Sequence, residues 1–234
     1  MCQLPEVIEL NNRAIDHLCR GEDQKALSIF SRALSLLSVS FQRLERDEQS
    51  DACEMANVAF GTVCLKPRTW STDSRKAQGI LDNEAIPLFE RAMAVSLEDF
   101  DSSNVVRMVS HKVTGAILFN TALTFHRRAV ADRSNTKALR KALTLYKNTL
   151  SALTPTFPVF GREPMLVLLL AVYTNMTHIY GDVYDREGFE SSRSALLQLT
   201  NMADFTLLSH ADATFFAFQK CTLHVNAFST AAAA

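Results

Sequence analysis

Apolar positions recur at steps of three and four from the start of the chain. Val7, Leu10, Ala14 and Leu18 fall on one stripe, and Pro5 suits a first helical turn. Gly21 stops that helix. A second stripe runs through Ala26, Leu27, Phe30, Ala33, Leu34, Leu37, Phe41 and Leu44. Two helices joined by a tight glycine turn make an antiparallel hairpin over 5–47. Neither can bury its apolar face alone, which is why such units stack.

Between 52 and 98 the period changes. Val58, Phe60, Thr62 and Cys64 alternate with small or apolar neighbours, and Pro67 is expected to end that run. A polar stretch from Arg68 to Glu84 holds Trp70. The apolar run from Ala85 to Val95 contains Pro87, which disfavours a helix interior. These signs predict a small two-stranded or irregular insert around 55–97, with a short helix as the competitor.

The helical period returns near Ser103. Val105, Val109, Val113, Ile117, Asn120 and Thr124 mark one side of a long helix, with Ala116 and Leu123 beside it. Asp132 to Thr136 reads as a turn, and Ala142, Leu143, Tyr146 and Leu150 mark the return helix of a hairpin over 103–153. Thr154 to Pro164, rich in proline, is a loop. A third hairpin over 164–204 carries Leu166, Leu169, Tyr173, Met176 and Ile179, then Ala195, Leu196, Leu199 and Met202. An apolar element at 211–228 caps the array, and 229–234 is a small-residue tail. The whole is read as one domain, 1–234.

Composition narrows the class. The chain has 47% hydrophobic and 21% charged residues, with 7 Gly and 6 Pro among 234, which favours helices over a turn-rich β fold. A formal net charge of -1 makes no overall case for nucleic acid or an anionic membrane. The five cysteines, Cys2, Cys19, Cys53, Cys64 and Cys221, are odd in number and lack a CxxC pair, which points to small buried side chains in a reducing compartment. The first ten residues lack the basic and apolar stretches of a secretory leader. Met165–Val172 is far shorter than the roughly 20 residues that span a bilayer. A cytoplasmic or nuclear protein, with no membrane partner, is expected.

Ala14-x2-His17-x3-Gly21-x4-Ala26-x3-Phe30-x2-Ala33-Leu34 resembles the tetratricopeptide repeat, whose two key small residues stand 12 apart, as Ala14 and Ala26 do. Asn120-x-Ala122-x2-Phe125 precedes Ala142-x3-Tyr146, and Asn175-x-Thr177-x2-Tyr180 precedes Ser192-x3-Leu196, with spacings of 20 and 15. Asn12-x-Ala14-x2-His17 opens the first hairpin with the same Asn-x-small-x2-ring signature. The interrupted layout is similar to lineage-expanded repeat-like proteins of unicellular algae. The resemblance covers about half the chain. It implies a mainly all-α fold, a short right-handed solenoid of antiparallel hairpins. It also implies that polar residues on the first helix of each hairpin hydrogen-bond an extended peptide's backbone on the concave face.

Asn12, Asn120 and Asn175 are the residues in that role, with Phe125 and Tyr180 beside them as pocket aromatics. An asparagine satisfying buried helix contacts would give the same spacing. The family's carboxylate clamp is not matched: Asn11, Asn12 and Ile15 stand where a lysine and a second asparagine would be needed. Arg127, Arg128, Arg133, Lys137, Arg140, Lys141 and Lys147 face the single acid Asp132 within 21 residues. They form either a docking patch for an acidic protein or nucleic-acid backbone, or a solvated helix face.

His17, His111, His126, His178, His210 and His224 show no metal-site spacing, and His178 with Asp182 suffices only for a local contact. No phosphate loop, dinucleotide fingerprint or nucleophile elbow is present. The expectation is a non-catalytic scaffold, without metal or cofactor, that binds a peptide or partner helix. Self-association through the last helix is a close variant. The rivals are an RNA-binding repeat using the basic cluster and a small-ligand protein or enzyme in a helical shell.

Overall fold

The structure, a computed structural model, describes residues 4–48, 62–68, 87–98, 103–154 and 163–231. The expectations placed on Cys2, Cys53, Val58, Phe60, Trp70, the loop at 155–162 and the last three residues of the 229–234 tail lie outside those residues, while 229–231 are helical. Among the described residues the fold is mostly helical, with seven α-helices and one two-stranded antiparallel sheet. Contacts divide the chain into two compact units, Met1–Trp70 with Arg91–Val159, and Ser71–Glu90 with Phe160–Ala234.

The first unit opens with α1 (Leu4–Cys19), which buries Val7, Leu10, Ala14 and Leu18, and with them Ile8, Asn11 and Ile15. Its end is fixed by Gly21 at φ 74. The Gly21 N–H bonds Leu18 O at 2.9 Å and the Glu22 N–H bonds His17 O at 2.9 Å, so a left-handed residue closes the helix. α2 (Asp23–Glu48) returns with Ala26, Phe30, Ala33 and Leu37 buried. His17 Nδ1 and Glu22 Oε2 meet at 2.5 Å across the turn. That bond, with help from Lys25, holds the half-buried Glu22 carboxyl down at about 2.

α3 (Ser103–Ala131) and α4 (Thr136–Leu153) form the second hairpin. Asn135 caps α4 by accepting from the Ala138 N–H at 3.1 Å. Tyr146 is fully buried against Phe119 and His126, with ring centroids 5.8 Å and 6.0 Å away. α3 is buried nearly all round from Gly115 to Thr124, because α4, α2 and the sheet all pack on it.

The sheet consists of β1 (Thr62–Arg68) and β2 (Ala92–Glu98), with Leu65 opposite Val95 and Pro67 opposite Met93. The insert is therefore strand-forming at both places where the period changed. One detail corrects the sequence reading: Pro67 does not end its strand. Alternate residues of a strand aim their N–H and C=O at opposite edges. Met93 and Val95 aim theirs away from β1, at Asn120 and Asn12. Ala92, Ala94 and Ser96 then serve the ladder with β1. Pro67 stands opposite Met93, so its missing N–H removes no bond.

The second unit holds α5 (Glu163–Asp182), α6 (Arg186–Met202), a 3₁₀ turn (Phe205–Leu207) and α7 (His210–Ala231). Val167 to Val172 are all buried, so α5 is a core helix without an exposed face over that stretch. The α5–α6 turn repeats the geometry of the first hairpin. The Tyr184 N–H bonds Gly181 O at 3.2 Å and the Asp185 N–H bonds Tyr180 O at 3.0 Å, with Tyr184 at φ 56. Tyr184 thus stands where Gly21 stands in the first turn, and its side chain is 94% exposed. Replacing it with glycine removes the left-handed Cβ strain at no packing cost. Tyr184→Gly is expected to raise stability by roughly 1 kcal/mol, against no gain for Tyr184→Ala, in thermal melts.

Candidate functional site

Four asparagines on the first helices of the hairpins grip a stretch of the chain's own backbone. In the first unit Asn120 of α3 is fully buried. Its Oδ1 accepts from the Met93 N–H at 2.7 Å and its Nδ2 donates to Met93 O at 2.9 Å. Asn11 of α1 donates to the same oxygen at 3.1 Å, and its Oδ1 accepts from Asn120 Nδ2 at 2.9 Å. Asn12 repeats the two-way bond one strand step on, accepting from the Val95 N–H at 3.0 Å and donating to Val95 O at 2.7 Å.

The second unit shows the same arrangement. Asn175 of α5, also fully buried, accepts from the Phe89 N–H at 2.8 Å and donates to Phe89 O at 3.1 Å. Gln219 of α7 donates to Pro87 O at 2.8 Å. The Phe89 ring sits between Phe215, edge-on at 5.3 Å, and Phe216, stacked at 5.4 Å.

The chemistry follows from the asparagine side chain, which is a primary amide with one acceptor oxygen and a donor nitrogen. It presents the same pair of groups as a neighbouring strand, so it can satisfy both the N–H and the C=O of one extended residue. The amides are neutral, neither acids nor nucleophiles near neutral pH. What they do is hold backbone. For Met93 and Val95 they complete the edge of β2 that faces away from β1.

The expected role of Asn12, Asn120 and Asn175 was to hold an extended peptide's backbone. The backbone they hold in this structure belongs to residues 89, 93 and 95 of the same chain. This also satisfies their buried polar groups, so the two readings of their spacing meet in one arrangement. Asn175 heads an Asn-x-Thr sequence, but its amide is committed to Phe89.

Phe125 and Tyr180 each have a partner within their own hairpin. Lys141 Nζ lies 4.3 Å above the Phe125 ring, and Tyr180 packs on Gly188 of α6, where a Cβ would strike it. Phe215 and Phe216 are rings that meet the gripped segment, at Phe89.

The basic residues Arg133, Lys137, Arg140, Lys141 and Lys147 are exposed, and Arg127 and Arg128 are half-buried at the end of α3. His178 Nδ1 stands 3.4 Å from Asp182 Oδ2, the local contact expected from their spacing. His126 Nδ1 is 3.5 Å from the Tyr146 hydroxyl inside the core. Cys19 and Cys221 are free thiols, and burial pushes the Cys19 thiol up, away from the reactive thiolate.

Among the described residues, no group of three or more His, Cys, Asp or Glu is placed to hold a metal ion, and no helix is long and apolar enough to cross a membrane. Comparison with known proteins finds no matching family model, no matching curated protein and no matching solved structure.

Proposed function

We propose that this chain is a non-catalytic protein–protein interaction scaffold, built from hairpins of the tetratricopeptide type, whose peptide-holding asparagines are occupied by its own segment. The observation that carries this reading is the repeated two-way amide bond: Asn12 to Val95, Asn120 to Met93 and Asn175 to Phe89. Side chains that read only main-chain atoms suit the recognition of a polypeptide. They offer nothing to a reaction.

Magnitudes decide whether a partner could take the segment's place. In the first unit alone, Met93 and Val95 are buried and their backbones receive five bonds from asparagines. Burial of two such side chains is worth about 4 kcal/mol, and five net hydrogen bonds add about 5 kcal/mol. That sum is comparable with the whole stability of a small domain. An outside peptide would have to replace all of it, so the asparagines act as an internal clasp and partners engage the outer surface.

A labelled peptide with the sequence of residues 87–98 tests this directly. Titrated with the full chain, it is expected to give no saturable change in fluorescence anisotropy up to about 100 μM. Saturable binding would show that the resident segment exchanges, and would return the asparagines to the role of a partner site.

A further inference from the structure

We infer that the outer face of α4 docks a short acidic segment of a protein partner. The inference rests on the scaffold reading and names the chemistry of its partner. Lys137 and Arg140 are exposed on the side of α4 opposite its buried Ala138, Ala142, Tyr146 and Thr149, Lys141 is exposed on the flank of that side, and Arg133 is exposed in the turn before it. Among the described residues these four cations have no acidic side chain at ion-pair distance. Asp132, the one acid within residues 127–147, is engaged by the N–H and hydroxyl of Ser134 at 3.1 Å and 2.6 Å. Lys141 is held in place over the Phe125 ring.

The spacing matches helical side chains on a partner. Lys137, Arg140 and Lys141 stand at i, i+3 and i+4, about 6 Å along the axis. Carboxylates at the same steps on a short segment meet all of them.

Two observations favour an acidic polypeptide over nucleic acid. A single-stranded nucleic acid gains much of its affinity by stacking bases on exposed rings. Of the rings nearest this face, Phe125 is covered by Lys141, while Phe119 and Tyr146 are fully buried. The chain as a whole carries a formal charge of -1, so everything outside this basic stretch is net acidic. A long polyanion is repelled there, whereas a short acidic segment meets only the cations.

The test uses the full chain and a labelled helical peptide with glutamates at i, i+3, i+4 and i+7, beside its glutamine counterpart. The glutamate peptide is expected to bind with a Kd of roughly tens of micromolar at low salt, and the glutamine peptide not to bind. The triple variant Lys137→Glu, Arg140→Glu, Lys141→Glu is expected to weaken binding at least about tenfold, with only the small fall in melting temperature that loss of the Lys141 contact on Phe125 brings. Should that variant fail to fold, the glutamine triple at the same positions reads the same contacts.

Equal binding by wild type and variant, or no binding to wild type, overturns the inference. Tighter binding of a single-stranded RNA than of the glutamate peptide overturns it in favour of a nucleic-acid face. The titration with the 87–98 peptide reads the clasp separately. A filled clasp without acidic-peptide binding sinks this inference alone.

Discussion

Asn120→Ala is expected to lower the unfolding free energy by roughly 3 kcal/mol, seen as a fall in the urea midpoint. The substitution removes the partner of the Met93 N–H, one of the two amide donors on Met93 O, and the donor to Asn11 Oδ1. All of this happens where Asn11, Met93 and Asn120 have no exposure, so water cannot take over the bonds. Asn12 is half-buried, and Asn12→Ala should cost about half as much.

Asn120→Asp separates hydrogen bonding from shape. The isosteric carboxylate places acceptors against Met93 O and Asn11 Oδ1, and burial favours its protonated form in the folded state. A carboxyl whose folded pKa is raised destabilises as pH climbs above its unfolded value of about 4, so this variant should gain stability as pH falls from 7 towards about 4. A variant indifferent to pH across that range would mean that the amide nitrogen contributes little.

Phe89→Ala is expected to be the most damaging apolar substitution in the second unit, at about 3–5 kcal/mol. The ring is buried and touches both Phe215 and Phe216, so truncation leaves a cavity between two rings on the rigid face of α7. Phe89→Leu keeps most of the volume but loses the ring geometry, and should cost about 1.5 kcal/mol or less. The comparison is made by chemical denaturation. Near-equal losses for both variants would point to the aromatic contacts, not the volume, as the source of stability.

The helical hairpins were legible because their signal is local. Val7 to Leu18 and Ala26 to Leu37 repeat with the helix, and Gly21 punctuates them within five residues of the residues it caps. The two strands were legible in kind, since alternation and Pro87 argued against helix. The end of β1 was misjudged because Pro67 is harmless only in a particular register, and register depends on the partner strand.

The asparagine signature was also visible, but its occupant was not. Asn12 and Asn175 meet their backbone partners across 83 and 86 residues, and an amide side chain carries no mark of where its partner lies. Asn11 and Gln219 hold backbone from outside the repeat signature, yet each carries a sign in the sequence. Asn11 falls on the stripe of Val7, Ala14 and Leu18, and Gln219 on the stripe of Phe216 and Leu223. A polar residue at a core position needs a buried partner, and both find one in a main-chain oxygen.

The clasp has a consequence for how the protein behaves in a crowded solution. A lone strand in a helical protein ordinarily leaves a raw edge that other chains can copy, the first step towards cross-β aggregation. Here β2 is shielded on one side by β1 and at Met93 and Val95 on the other by side-chain amides, which occupy the main-chain groups without supplying a new strand. The far edge of β1 is interrupted by Pro67, which has no donor to offer. Asparagine in this chain therefore does the work of a terminating strand, and a small sheet is kept from templating a larger one.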